Sequence, residues 1–159
     1  MPRAKPRIAL RGLLRALVLA IAGLIMAVGV PTLWTYWRAA TTRAGAEEMV
    51  AVLNNARQLA IRLNSTVCVT NTGTRLQYHV GTCAAAAWTG PGTDTLGFIT
   101  LANAVTVAGA QNLCFSYLGA GTATPAPCIA NTTFTVTNPN GNQTLPVIVA
   151  ASGRVRIGP

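Results

Sequence analysis

Apolar residues form one continuous run near the N-terminus of the chain. No charged residue lies between Ala16 and Trp37, a stretch of 22 residues. A helix of about 20 apolar residues is long enough to cross the hydrocarbon core of a bilayer. The run therefore predicts a transmembrane helix over residues 13–37, preceded by a basic leader over residues 1–12.

The apolar run passes into a one-sided helix without an intervening turn. The apolar residues of this continuation recur at steps of three and four, which places them on one helical face. They are Met49, Val52, Leu53, Ala56, Ala60 and Leu63. Asn64 and Ser65 favour a stop, so residues 38–64 are predicted to continue the helix as an amphipathic segment.

Beyond the helix, short runs of strand-forming residues alternate with turn-forming residues. The predicted strands are Thr66–Thr70, Leu76–Val80, Ala104–Val107, Leu113–Leu118, Thr132–Thr137 and Leu145–Ala150, with an edge strand at Val155–Ile157. Residues 84–97 are small, polar or turn-forming and are predicted as a loop. These patterns predict an α+β fold, with the long N-terminal helix packed on a small antiparallel β-sheet in a β-rich domain over 65–159. Phe134 and Val136 alternate along one strand and are expected to face that helix.

Positive charge is concentrated at the N-terminus. Five of the twelve basic residues precede the apolar run, namely Arg3, Lys5, Arg7, Arg11 and Arg15. Lysine and arginine are enriched on the cytoplasmic side of membrane helices. The net charge of +9 therefore indicates a cytoplasmic N-terminus, with the domain across the membrane, better than it indicates a surface for nucleic acid.

A cleaved secretory signal is the alternative to a retained helix. Such signals have apolar cores of about 7–15 residues, followed by small residues at the cleavage site. Here the run is longer and ends in Leu33, Trp34, Tyr36 and Trp37. Aromatic residues are typical of a helix end at a membrane interface, so the pattern favours retention.

The four cysteines all lie beyond the apolar run, as Cys68, Cys83, Cys114 and Cys128. Their spacing contains no Cys-x-x-Cys and the chain has one histidine, which argues against a metal site. An even number of cysteines in an exported domain favours disulfides. Three pairings are possible, and Cys68–Cys83 with Cys114–Cys128 is preferred because each closes a loop of about 15 residues, worth about 3 kcal/mol in the chain-entropy model. Four buried free thiols are the alternative.

Candidate catalytic residues are few. His79 is the only histidine and lies in a predicted strand, and Asp94 is the only aspartate and lies in the predicted loop. Nucleophilic catalysis needs a nucleophile, a base and a group that orients the base, and no serine has a base near it in sequence. The inventory predicts a protein that is not an enzyme and needs no cofactor.

Two arginines near the C-terminus are the strongest candidates for a binding site. Arg154 and Arg156 are two residues apart, and on a strand the side chains of such residues share one face about 6.6 Å apart. No acidic residue follows Asp94. Two guanidinium groups at that spacing suit phosphates of a nucleic-acid strand. The alternative is that the charges keep an edge strand soluble and unpaired.

Several segments, taken in order, resemble one known family. Residues 47–62 read Glu-Glu-Met-Val-Ala-Val-Leu-Asn-Asn-Ala-Arg-Gln-Leu-Ala-Ile-Arg, which is similar to the helix of type II secretion pseudopilin H and FimT-type minor pilins. The family's later motifs match the strand at 66–69, Trp88-Thr89-Gly90, Phe115 with Gly119, and Gly153-Arg154-Val155-Arg156. The resemblance covers about residues 13–157 and implies a pilin-like fold.

The resemblance implies a structural subunit of a type II secretion pseudopilus or a type IV pilus. Such a subunit crosses the bacterial inner membrane once, with its C-terminal domain in the periplasm. Its implied partners are other minor pilins or pseudopilins, and prepilin peptidase. In FimT-type minor pilins a C-terminal Gly-Arg-x-Arg is associated with DNA uptake, so DNA is the alternative partner implied for Arg154 and Arg156.

The N-terminal leader departs from the family pattern. In the family a glycine precedes the cleavage site, and the fifth mature residue is a glutamate that is thought to pair with the N-terminal amine of a neighbouring subunit. Here cleavage between Gly12 and Leu13 would make Leu17 the fifth residue. Leu17 cannot form that pair. A third interpretation follows, in which the chain is an anchored periplasmic protein that never enters a filament.

Overall fold

The computed structural model describes residues 7–158, with side chains from Gly12 onward. Arg3 and Lys5 of the predicted leader lie outside the described residues. The first element is the helix α1 (Arg7–Leu63). The chain is already helical at Arg7, the first described residue, six residues before the predicted start at Leu13, and the intervening residues are mostly good helix formers such as arginine, alanine and leucine.

The chain forms two compact units that divide between Trp37 and Arg38. In the N-terminal unit the large apolar side chains of α1 are exposed, including those of Leu17, Ile25 and Trp34. Among the described residues, α1 is the one helix that is long and apolar enough to cross a membrane.

In the C-terminal unit, α1 buries the face that its apolar spacing predicts. Met49, Leu53, Ala56 and Ala60 are fully buried, whereas Leu63, predicted on the same face, is 46% exposed. Leu63 is the last residue of the helix. The chain turns there, so the buried stripe ends one step before its predicted end.

Asn64 ends α1 in the left-handed conformation, with φ 47°. Its amide donates to the carbonyl of Ile61 at 3.2 Å, and the amide of Ser65 donates to the carbonyl of Ala60 at 3.1 Å. These are the two hydrogen bonds of a Schellman motif, in which asparagine can replace the usual glycine. The predicted stop at Asn64 and Ser65 is confirmed.

Within the described part of the chain eight strands follow α1, and they form two four-stranded antiparallel sheets where the sequence predicts one. Sheet A has the order β3-β2-β1-β5 and sheet B the order β4-β6-β7-β8. The strands of sheet A are β1 (Val67–Asn71), β2 (Arg75–Val80), β3 (Phe98–Thr100) and β5 (Leu113–Phe115). Those of sheet B are β4 (Thr106–Ala108), β6 (Thr132–Thr137), β7 (Thr144–Val149) and β8 (Val155–Ile157). The chain changes sheet before β4, before β5 and before β6.

Three strands depart from the predicted pattern. β3 is only three residues long and was not predicted. β4 begins at Thr106 rather than at Ala104, because a short 3₁₀ turn occupies Ala102–Ala104. β5 ends at Phe115 rather than at Leu118, because the amide of Gly119 donates to the carbonyl of Ser116 at 2.8 Å and closes a turn.

One hydrophobic core joins the C-terminal part of α1 to both sheets. Phe134 and Val136 of β6 belong to it, as the alternation along that strand predicts. The other buried strand residues of this core are Val67, Val69, Leu76, Tyr78, Val107, Leu113, Phe115, Val147 and Val149. A second, smaller cluster on sheet A consists of Cys68, Cys114 and Cys128, with Cys83 packed against it. Cys68 and Cys114 alternate with core residues along β1 and β5, so this cluster lies on the other face of sheet A.

Candidate functional site

The apolar surface of the N-terminal unit is the first candidate site. Gly12, Leu13 and Leu17 all lie within α1, and Leu13 and Leu17 are 69% and 56% exposed. A helix that is apolar on all sides belongs in lipid or among other apolar helices. The residues of the predicted cleavage site are thus helical here, and cleavage between Gly12 and Leu13 stays a prediction.

The candidate catalytic side chains are engaged in local structure. The His79 ring lies 2.7 Å from the Ala85 carbonyl through Nδ1 and 3.1 Å from Thr70 Oγ1 through Nε2. A carbonyl oxygen only accepts, so Nδ1 donates a hydrogen to the Ala85 carbonyl, and Nε2 lies within hydrogen-bond distance of the Thr70 hydroxyl. The Asp94 carboxylate accepts from the backbone amides of Leu96, in its own loop, and Phe98, the first residue of β3, at 2.9 and 2.8 Å. Both side chains hold loops against sheet A.

Arg154 and Arg156 lie at the edge of sheet B. In the sheet order β8 comes last and pairs with β7, with Arg156 opposite Ile148. Both arginines are exposed. The ion pair found among residues 12–158 joins Arg43 to Glu47, at 3.0 Å, so neither guanidinium group is neutralised by a described acidic residue.

The turn before Arg154 depends on a close approach of two backbone segments. Gly153 has φ 80°, and its amide donates to the carbonyl of Ala150 at 2.9 Å. A Cβ atom at this position would overlap the carbonyl oxygen of Gly119. The glycine of Gly-Arg-x-Arg is therefore a packing requirement of the fold, independent of any role for the arginines.

The four cysteines form one cluster on sheet A. Cys68 and Cys114 face each other in register on β1 and β5, while Cys83 and Cys128 come from loops. Disulfides join Cys68 to Cys83 and Cys114 to Cys128, with Cα atoms 5.2 and 5.4 Å apart. These are the pairs preferred from the sequence. The two bonds are adjacent, since Cys83 Sγ lies 3.6 Å from Cys114 Sγ and 3.9 Å from Cys128 Sγ.

A groove of about 350 Å³ runs between α1 and the loop that precedes β3. Tyr78 and Trp88 line it, with ring centroids 6.2 Å apart. The Tyr78 hydroxyl donates to the carbonyl of Val52 in α1 at 2.7 Å. This bond ties β2 to the helix. This hydrogen bond could not be predicted from the sequence, because the alternation along β2 shows only that Tyr78 faces the core.

Replacing Tyr78 with phenylalanine is expected to lower the stability of the C-terminal unit at neutral pH. It is also expected to make that stability less sensitive to alkaline pH. Burial raises the pKa of the Tyr78 hydroxyl above its ordinary value, whereas an unfolded tyrosine ionises near pH 10. This contribution is fully present below about pH 10 and is lost as the pH rises further. Tyr78→Phe should lower the free energy of unfolding by about 1 kcal/mol at pH 7. It should also reduce the fall in that free energy between neutral pH and a pH above about 10, and urea unfolding under the two conditions measures both effects. Tyr117→Phe, which alters a side chain that is 53% exposed, is the control and should change neither the stability nor its dependence on pH. If the stability of Tyr78→Phe fell at alkaline pH as much as that of the unaltered chain, this role of the hydroxyl would be contradicted.

Comparison with known proteins shows one matching protein family and several solved structures with a similar fold. Residues 45–153 match the family model for Type II transport protein GspH. The type IV minor pilin FimU of Pseudomonas aeruginosa, in two crystal forms, is 21% and 19% identical, covers 74% and 78% of this chain and 92% of its own, and has TM-scores of 0.51 and 0.53. The minor pseudopilin EpsH from the Type 2 Secretion System of Vibrio cholerae is 14% identical, covers 74% of this chain and 95% of its own, and has a TM-score of 0.53. No curated protein matches the chain.

The matched region contains the C-terminal part of α1, seven of the eight strands and both disulfides. It ends at Gly153, immediately before the two arginines. At these identities the solved structures show the fold alone, and the family model covers more than half of the chain. The chain belongs to the GspH family of type II transport proteins.

Proposed function

We propose that this chain is a minor pilin or pseudopilin, a structural subunit that acts by assembly and protein contact, without catalysis. The observation that carries the proposal is the family match over residues 45–153, which begins inside a helix whose N-terminal part exposes apolar side chains on every side. Such a helix needs an apolar environment. A filament subunit has two, the bilayer before assembly and the helices of neighbouring subunits afterwards.

The proposed location is the bacterial inner membrane, crossed once. The basic residues before the apolar run support a cytoplasmic N-terminus. The two disulfides support an oxidising compartment such as the periplasm for the C-terminal unit. The proposed partners are other minor subunits of the same assembly. FimU is a type IV pilin and EpsH belongs to a secretion system, so the proposal covers a subunit of either kind.

Prepilin peptidase is expected to cut the chain between Gly12 and Leu13. Intact mass and N-terminal sequencing of protein from membranes with and without the peptidase measure this directly. A start at Leu13 that depends on the peptidase supports a filament subunit. Gly12→Val should block the cut, and Gly23→Val is its matched control because a Cβ atom meets open space at both positions.

An intact N-terminus in both membranes would contradict assembly through the pilin pathway. It would support the third interpretation, a protein that stays anchored and never enters a filament. Leu17 is the feature that favours this outcome, because the chain has no carboxylate between Gly12 and Trp37 to pair with the amine of a neighbouring subunit.

A second candidate function is DNA binding through Arg154 and Arg156. The observation that favours it is the exposure of both side chains at the edge of sheet B, Arg156 within β8 and Arg154 just before it, in a chain segment without acidic residues. Two arginines alone bind a phosphate backbone weakly. Arg75 or several subunits in one filament would have to strengthen the binding, since multivalency raises avidity without new chemistry at each site.

Changing both arginines to glutamine is expected to abolish retardation of duplex DNA by the full-length chain in detergent. Where weak binding remains, the slope of log K against log salt concentration should become shallower by roughly 0.9 for each arginine that no longer neutralises a phosphate. Arg43→Gln with Arg62→Gln is the matched control, because it removes the same charge from exposed positions of α1. Equal retardation by the two double variants would exclude a specific role for the C-terminal pair.

A further inference from the structure

The two disulfides lie much closer together than two independent loop closures require. The four Sγ atoms of Cys68, Cys83, Cys114 and Cys128 all lie within 4.8 Å of one another. They come from two neighbouring strands and two separate loops. The fold therefore brings four separate segments to one point, although the spacing of the cysteines in the sequence argues against a metal site.

The sulfur geometry is close to that of a tetrahedral metal–thiolate site. Zinc–sulfur bonds are about 2.3 Å, which places the sulfurs of a tetrahedron about 3.8 Å apart. The distances from Cys83 Sγ to Cys114 Sγ and Cys128 Sγ, which join different disulfides, are 3.6 and 3.9 Å. These edges already have the required length. The two bonded pairs must open, and each includes one cysteine on a loop; the distances from Cys68 Sγ to the sulfurs of the other disulfide, which lie within 4.8 Å, must reach the same length.

The burial of the cluster suits a closed site. Cys68 and Cys114 are fully buried and Cys128 is 8% exposed, while Cys83 is half-buried. The register of β1 and β5 fixes Cys68 opposite Cys114. Two ligands are thus held by the sheet, and the more accessible Cys83 provides a route of entry.

We propose that the reduced chain binds one Zn²⁺, or a similar thiophilic cation, through these four cysteines. A dithiol reductant supplies two electrons and two protons to each disulfide and is itself oxidised to a disulfide. The four resulting thiols each release one proton as a metal–sulfur bond forms. The same four side chains would then hold the outer loops on sheet A in two ways, by a metal under reducing conditions and by disulfides under oxidising ones.

The test titrates Co²⁺ into the full-length chain in detergent, after reduction with a phosphine and removal of the reductant without oxygen. The expected result is the intense visible spectrum of tetrahedral cobalt thiolate, which saturates at one equivalent and is bleached by Zn²⁺. The oxidised chain should show none. Removing even an outer-shell partner of a metal ligand costs about tenfold or more in affinity, so replacing the direct ligand in Cys83→Ser should cost at least that much and change the spectrum. Thr82→Ser on the same loop is the matched control.

Three results would overturn the proposal. They are the absence of a tetrahedral spectrum in the reduced chain, saturation at more than one equivalent, and a Cys83→Ser spectrum equal to that of Thr82→Ser. The loops that carry Cys83 and Cys128 are expected to become less ordered when the disulfides are reduced. Metal binding would order them again, so the test does not require a preformed site. Circular dichroism of the reduced chain should then show that Zn²⁺ raises its Tm and leaves the Tm of the oxidised chain unchanged.

Discussion

Replacing Gly153 with alanine is expected to lower the free energy of unfolding of the C-terminal unit by about 2–5 kcal/mol. The positive φ of 80° costs an L-residue roughly 1–2 kcal/mol. The added methyl group would also overlap the Gly119 carbonyl oxygen, and overpacking costs about 1–3 kcal/mol more. Denaturant unfolding of the variant in detergent measures the sum.

Gly141→Ala is the control that separates the two causes. Gly141 has φ 71°, but a Cβ atom there would meet nothing within 4 Å. It should therefore cost only the conformational part, roughly 1–2 kcal/mol. Equal losses at the two positions would mean that the close approach between the two turns does not contribute.

Replacing Phe134 with alanine is expected to cost about 3–5 kcal/mol, the usual range for a buried phenylalanine. Phe134 is 1% exposed at the centre of β6. Its ring also covers Gly109, where a Cβ atom would lie 2.8 Å from the ring. Truncation would therefore leave a cavity between β6 and the end of β4, and denaturant unfolding at neutral pH would register the loss.

Two further variants test the cause of that loss. Phe134→Leu fills most of the volume and should cost about 1.5 kcal/mol or less. Thr133→Ala changes the neighbouring exposed side chain and should stay within about 0.5 kcal/mol. A loss for Phe134→Ala no larger than that for Thr133→Ala would show that β6 is not part of the core.

The helix and its packing could be predicted because their signals are local and periodic. The step of three and four residues identified Met49, Leu53, Ala56 and Ala60, which are all buried. The alternation of Phe134 and Val136 was equally direct. Leu63 failed as a prediction because periodicity carries no information about where the packing partner ends.

The division into two sheets could not be predicted in the same way. The alternation of residues along a strand shows which of its faces is buried. It does not show which sheet the strand joins, because both sheets bury an apolar face against one core. Pairing depends on residues distant in sequence, such as Val67 opposite Phe115. β3 escaped notice because three residues are too few for an alternating pattern.

The candidate sites show the same contrast. Arg154 and Arg156 are both exposed at the edge of sheet B, but only Arg156 lies in β8, while Arg154 comes just before it, so the shared strand face of the two side chains stays a prediction. The closeness of the four cysteines was missed, because metal-site spacing rules describe ligands that are near in sequence. Here Cys68 and Cys114 become neighbours only when β5 adds to the edge of β1.

The disulfides have one more consequence, for the fate of a damaged subunit. They enclose residues 69–82 and 115–127 in two covalent rings. A protease that cuts once inside either ring breaks a peptide bond but frees no fragment, because both new ends stay attached to the rest of the chain. The turn at Ser116–Gly119 lies inside the second ring. A subunit nicked there would remain one molecule, and the cut would become visible only after reduction, when the two pieces separate.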